Sequence, residues 1–181
     1  ALTQASLIAN LPIILQISQN AVKYHGSLKP ISIATRAIIE ESGANAFLHL
    51  DHAEDTELVR AAIDLGFDSV MYDGSKLDFA ANVKSSSEMA ELAHKNNALI
   101  ELELGEVGGK DGVHAPGVRT KPSEAKAFVE ATPTSGPTCI GRTKSDNLDK
   151  ELSVTFTIEQ VLAPLILQNS NAAIVSAVSP D

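Results

Sequence analysis

Four short apolar runs, each stopping on a polar or small residue and separated by stretches of helical period, constrain this chain more than any other feature. They are Pro12-Ile-Ile-Leu-Gln-Ile-Ser18, Asn45-Ala-Phe-Leu-His-Leu-Asp51, Ser69-Val-Met-Tyr-Asp-Gly74 and Ala98-Leu-Ile-Glu-Leu-Glu-Leu-Gly105. Near-continuous apolar runs of this length are the mark of strands covered on both faces. Around them the apolar residues recur at helical spacing: Leu2, Ala5, Leu7 and Ile8; then Ile31, Ala34, Ile38 and Ile39, with Gly43 as C-cap; then Leu58, Val59, Ala62 and Ile63, capped by Asp55 or Thr56 and closed by Gly66; then Ala80, Val83, Met89, Leu92 and Ala93 over 79–96. Strand and helix in strict alternation predict an α/β fold with a parallel sheet. Strands that all end on polar residues favour a (β/α)8 barrel, with an open doubly wound sheet as the alternative.

At 181 residues the chain supports one domain, 1–181, yet is short for a barrel of about 250 residues. It opens on Ala1-Leu-Thr-Gln4 in mid-helix pattern, so we expect an incomplete barrel lacking its first strand, with degenerate or missing last strands. Hydrophobic residues make up 44% and aromatics only 4%, which requires an aliphatic core. A net charge of −9 without a basic run argues against nucleic acid and anionic membrane surfaces as partners, but not against a phosphorylated small molecule. Cys139 is the one cysteine, which rules out an internal disulfide and a cysteine zinc cluster. No apolar run approaches the ~18 residues of a membrane helix, and a cytoplasmic location is expected.

Alternation in the fourth run puts Glu101 and Glu103 on one face, with Ile100, Leu102 and Leu104 on the other. Buried acids are costly unless a cation or hydrogen bonds compensate them. A parallel barrel would bring the strand-end residues Ser18, Asp51, His52, Asp73 and Glu103 to one rim. One imidazole among carboxylates suits a divalent ion of zinc type, with a further carboxylate as acid or base. Taken singly, Asp51 and His52 also fit a capped helix start, and Asp73 or Glu103 a cap or salt bridge. The long segment Glu106-Val-Gly-Gly-Lys-Asp-Gly-Val-His-Ala-Pro-Gly117 has a length usually reserved for function. Pro122 then opens a helix over 123–131 with Phe128 and Val129 apolar. Beyond Thr132 the pattern weakens, with a short strand at Cys139-Ile140, a helix over 148–162 and a strand at Ala163–Gln168 as expectations.

Leu48-His-Leu-Asp-His52, Ala61-Ala-Ile-Asp-Leu-Gly-Phe-Asp-Ser-Val-Met-Tyr-Asp-Gly-Ser75 and Glu101-Leu-Glu-Leu-Gly-Glu-Val-Gly-Gly109 together resemble the class II, zinc-dependent fructose-1,6-bisphosphate aldolases and the related tagatose-bisphosphate aldolases. The resemblance covers residues 1–131, and later only patches such as Arg142–Leu152 and Ala163–Leu167. It implies a lyase of glycolysis and gluconeogenesis that cleaves a ketose bisphosphate, commonly as a homodimer or tetramer. It implies that Asp51 is the acid/base at the C4 hydroxyl and His52 a ligand of catalytic zinc. Asp73 and Glu103 would lie by a second divalent or monovalent cation position, and Ser18 would contact substrate. The acid that handles the carbon-bound proton has Asp111 as its nearest counterpart, beside Lys110.

The family places two more zinc histidines in Gly-x-x-His and Leu-His-Gly patterns. Here those places read Thr138-Cys-Ile-Gly-Arg142 and Leu165-Ile-Leu-Gln-Asn169, and His25, His49, His94 and His114 do not match them. We therefore also carry a non-catalytic barrel serving in binding or assembly. Lys76 and Lys110 are loop lysines, which argues against a Schiff-base mechanism.

Overall fold

The computed structural model describes residues 1–105, 122–132, 138–141 and 173–176. Its elements run α1 (Leu2–Ala9), β1 (Ile13–Ser18), α2 (Gln19–His25), α3 (Leu28–Ser42), β2 (Ala46–Ala53), α4 (Thr56–Asp64), β3 (Ser69–Tyr72), α5 (Phe79–Lys95), β4 (Leu99–Glu103), α6 (Pro122–Ala131), β5 (Thr138–Gly141) and β6 (Ala173–Ser176). The strands form one sheet in the order β5-β4-β3-β2-β1-β6, and every pairing is parallel. The expected α/β fold with a parallel sheet is thus present. Consecutive strands lie side by side, so their C-terminal ends line up: Ser18 pairs with Asp51 in register, and Met71 with Glu101.

Strand alternation sorts the side chains into two faces. Leu15 and Ile17, Leu48 and Leu50, Val70 and Tyr72, and Ile100 and Leu102 join the core with Val59, Ala62 and Ile63 of α4, Met89, Ala90 and Ala93 of α5 and Phe128 of α6. The opposite face carries Gln16, His49, Ser69, Glu101 and Glu103 alongside Ile14 and Met71, all buried. His49 Nδ1 lies 2.6 Å from Ser69 Oγ. One face is therefore an aliphatic packing layer and the other a polar interior.

Several expectations change in detail. A short helix, α2, starts directly after β1 with Ser18 as its N-cap; seven residues without an apolar stripe leave little periodic signal. Helix α3 begins at Leu28, before Pro30, because a proline in the first turn forfeits only an N–H that has no helical partner. This earlier start brings Leu28 into the core, and the buried face runs through Leu28, Ser32 and Ile39, leaving Ala34 and Ile38 exposed. Ser32 tolerates burial because its hydroxyl donates to the Leu28 carbonyl at 2.7 Å. Ala80 and Val129 likewise face outward. On the far side of β1, where a missing first strand would leave an edge, β6 pairs in register from Ile13 with Ala173 to Gln16 with Ser176. Strand β6 had no sequence signal, since a four-residue apolar segment fits helix and strand alike. The expected elements over 148–162 and 163–168, and the Gly-rich segment, lie outside the described residues.

Candidate metal centre

The site begins with a slip in one strand. Leu50 pairs with Val70, but Ala53 pairs with Tyr72, so Asp51 and His52 together oppose Met71 alone. This is a β-bulge, with His52 at φ 48, in the left-handed region that a non-glycine residue rarely adopts. The extra residue resets the alternation: Leu50 and Ala53 both fall in the buried core, while the two residues between them turn to the polar side. A regular strand would have sent His52 into the aliphatic layer. Backbone strain of this kind costs on the order of 1–3 kcal/mol and concentrates at functional sites.

His52 and Asp51 sit at the C-terminal rim with Nδ1 and Oδ1 3.2 Å apart, and His52 Nε2 lies 3.5 Å from Glu103 Oε2. His52, Asp73 and Glu103 each offer one donor atom, all within 4.8 Å of one another. Glu103 is only 1% exposed, His52 38%. Asp73 is fixed from two sides: its Oδ1 accepts from the Ser75 N–H (3.0 Å) and hydroxyl (2.6 Å), and its own N–H donates to the Ala53 carbonyl at 2.9 Å. The loop after the bulge is held by Gln19, whose Oε1 accepts from the Glu54 and Asp55 N–H groups at 3.1 and 3.2 Å. Lys76 Nζ reaches Glu54 Oε1 at 2.7 Å.

Three carboxylates around one imidazole dominate the electrostatics. The hydrogen bond that His52 makes to the Asp51 carboxylate raises the His52 pKa above its ordinary value; burial opposes this, and the charges of Asp51, Glu103 and Asp73 add to the rise. The donor set fits a cation. One imidazole nitrogen and two carboxylates within a few ångströms match the hard-to-borderline ligands of a divalent ion, and its charge would offset the cost of burying Glu103. A carboxylate on Nδ1 is also how ligating histidines are usually oriented, with Nε2 turned toward the metal.

The other expected residues are placed as follows. Ser18 ends β1 beside Asp51, and its Oγ accepts from the Ala21 N–H at 3.1 Å. Asp111 and Lys110 lie outside the described residues. His49 is buried in the polar interior one pleat below Asp51. His94 is half-buried in the last turn of α5 rather than fully on the surface. Strand β5 sets Gly141 against Glu103, so the Thr138-Cys-Ile-Gly141 segment adjoins the rim, with Arg142 outside the described residues. Three polar residues escaped sequence reasoning. Gln19 left no signal, whereas buried Asn82 and Ser86 interrupt the apolar face of α5 at i, i+4 and so left one.

Residues 1–141 match the family profile of the class II fructose-bisphosphate aldolases. This chain belongs to that family. Among its relatives, the fructose-bisphosphate aldolase of Giardia intestinalis is 38% identical over 122 residues, which cover 67% of this chain and 38% of that protein. That of Mycoplasma genitalium is 35% identical over 144 residues, covering 78% and 50%. The 6-phospho-5-dehydro-2-deoxy-D-gluconate aldolase of Bacillus velezensis is 39% identical over 135 residues, covering 73% and 47%. The chain spans about half the length, or less, of these relatives. In structure it is similar to the YdjI aldolase of Escherichia coli K12, with a TM-score of 0.58 at 27% identity over 72% of this chain and 49% of that one. A putative fructose-1,6-biphosphate aldolase of Coccidioides immitis shares the fold at 23% identity, with a TM-score of 0.64 over 97% of this chain and 62% of that one.

Proposed function

We propose that this family member carries out metal-dependent, reversible retro-aldol cleavage of fructose 1,6-bisphosphate to dihydroxyacetone phosphate and glyceraldehyde 3-phosphate. The observation that carries the reading is the approach of His52, Asp73 and Glu103 to within 4.8 Å, with Asp51 on the far nitrogen of the imidazole. The six parallel strands in near-consecutive order support a (β/α)8 barrel of which residues 1–181 form a single domain. In this reading His52, Asp73 and Glu103 hold a zinc-type ion, and a neighbouring second divalent or monovalent cation is compatible with the carboxylates. When bound, the ion supplies Lewis-acid polarisation of the substrate ketone. Asp51 accepts the proton of the C4 hydroxyl as the C3–C4 bond breaks, and the bonding electrons move toward the C2 carbonyl. Ser18 donates its hydroxyl proton to the substrate, and Asp111 handles the carbon-bound proton. Lys76 takes no part, because a lysine bonded to Glu54 and 63% exposed lacks the desolvated setting of a Schiff-base nucleophile.

Cleavage of fructose 1,6-bisphosphate that is lost in excess chelator and restored by zinc supports the proposal; full activity in excess chelator overturns it. Substrate breadth is read in the same assay with tagatose 1,6-bisphosphate and 6-phospho-5-dehydro-2-deoxy-D-gluconate, since a relative named for the latter is 39% identical. A second reading, a non-catalytic aldolase-like barrel that acts in binding or assembly, is favoured by one observation: neither Thr138–Arg142 nor Leu165–Asn169 contains a histidine. About one zinc per purified chain together with turnover defeats it.

A further inference from the structure

The three candidate ligands stand on three different strand ends, and the ends are not tied together in the same way. Strands β2 and β3 are joined directly, by the bond from the Asp73 N–H to the Ala53 carbonyl and by the Lys76–Glu54 ion pair. Strands β3 and β4 pair directly as far as Tyr72 with Leu102, and past that pair a helix adds a tie to Glu103. Asn82, in the first turns of α5 and 1% exposed, donates from Nδ2 to the backbone carbonyl of Glu103 at 3.0 Å. Its Oδ1 accepts from the Ser86 hydroxyl at 2.9 Å, which fixes the orientation of the amide.

The same amide lies hard against Gly74, the residue after Asp73. A Cβ on Gly74 would collide with Asn82 Oδ1, and it would fall 2.9 Å from Asn82 Cγ and 3.1 Å from Tyr72 Cε1. No positive φ demands glycine there. The amide of Asn82 is therefore the nearest obstacle to a side chain there, and the Tyr72 ring the next. One planar group is thus wedged beneath the residue after Asp73 and bonded to the backbone of Glu103.

We propose that Asn82 is a positioning residue, whose amide sets the spacing of the Asp73 and Glu103 carboxylates across the metal centre. The proposal rests on the metal-centre reading above. A group that locks ligands in place typically changes metal affinity by about 10–100-fold when removed. A residue that merely packs α5 against β4 lowers stability and leaves affinity alone.

The test measures zinc dissociation constants by competition with a chelator, and thermal unfolding in excess chelator, for the full chain and its variants. Asn82→Leu, close in volume but unable to donate, is expected to bind zinc about 10–100-fold more weakly while folded. Asn82→Ser, which shortens the side chain, serves if the leucine variant does not fold, and the same loss is expected. Met89→Ala, a buried residue further along the same helix, is expected to lower the melting temperature with unchanged affinity. Gly74→Ala should weaken binding in the wild-type background and have a smaller effect in the Asn82→Ser background, where the collision with the amide is gone and only the tight approach of the Tyr72 ring remains. Wild-type affinity in folded Asn82 variants overturns the positioning role while leaving the metal reading intact. A wild-type chain that binds no zinc overturns both.

Discussion

The two ends of the strands use aspartate in opposite ways. At the N-terminal end, Asp68 accepts from the Leu48 N–H at 2.7 Å and from Arg36 at 3.2 Å, and the same arginine donates to the Gly66 carbonyl at 2.6 Å. Its backbone also bridges β2 and β4, donating to the Leu48 carbonyl and accepting from the Leu99 N–H, each at 3.0 Å. One negative charge thus meets one positive charge and several donors. At the C-terminal end, Asp51, Asp73 and Glu103 crowd a single imidazole on a bulged, left-handed backbone. The first end is built for cohesion. The second concentrates like charges at a local cost, the pattern expected where a barrel rim does chemistry and the opposite face supports stability.

The sharpest way to break this contrast is to remove one residue from each end. His52→Ala deletes the one imidazole of the cluster and relieves the positive-φ strain only partly. We expect zinc affinity to fall by at least about 100-fold, roughly 2.7 kcal/mol, with little change in the melting temperature measured in chelator, because His52 is partly exposed. Asp68→Ala should do the reverse. Leaving the Leu48 N–H and Arg36 without their acceptor costs about 1–3 kcal/mol, read by denaturant unfolding, while zinc affinity stays within about twofold. Large loss of zinc in Asp68→Ala, or of stability in His52→Ala, would erase the distinction between the ends.

A third effect is a pH dependence of opposite sign for the two properties. The folded-state pKa of His52 is raised, chiefly by Asp51. In metal-free protein the protonated imidazole therefore contributes stability that is fully present below the unfolded value of about 6.5 and is lost as pH rises through the higher folded value. Metal needs the neutral ring, so zinc affinity should fall by about tenfold per pH unit below the raised pKa. Chelator competition and thermal melts between pH 5.5 and 8, set around that reference value of about 6.5, should show affinity rising while the His52 part of metal-free stability declines. Parallel trends would show that another group controls the site.

How much of this was legible in the sequence differs between the two ends as well. The parallel sheet, α4 with its buried Val59, Ala62 and Ile63, and the two-faced β4 follow from periodicity alone, because burial of one face writes itself into the residue pattern. The bulge was half-legible: the aliphatic positions run Leu48, Leu50 and then Ala53, a slip from two residues to three that marks an inserted residue. The clamps at both ends were not. Gln19 reaches Glu54 across 35 positions and Arg36 reaches Asp68 across 32, and polar pairs so far apart leave no local period. Asn82 shows why a polar residue on an apolar helical face merits a question, since its partner is a backbone carbonyl that no sequence pattern displays.

The smallest expected effect concerns the rim itself. Lys76 and Glu54 form an ion pair at 2.7 Å, but their side chains are 63% and 43% exposed. Exposed pairs contribute about 0–1 kcal/mol after screening and lost side-chain freedom. The loop that Glu54 opens is held independently by Gln19 through two backbone N–H groups, so removing the lysine leaves the bulge supported. Lys76→Ala should therefore change stability by less than about 0.5 kcal/mol and retain most of the zinc affinity and cleavage rate. Borohydride added with substrate should trap no adduct in either form, because an exposed, ion-paired amine lacks the desolvated setting of a Schiff-base nucleophile. A trapped adduct lost on Lys76→Ala would move the chemistry from the carboxylates and imidazole to the lysine, and the contrast between a cohesive end and a candidate metal-binding end would need a different explanation.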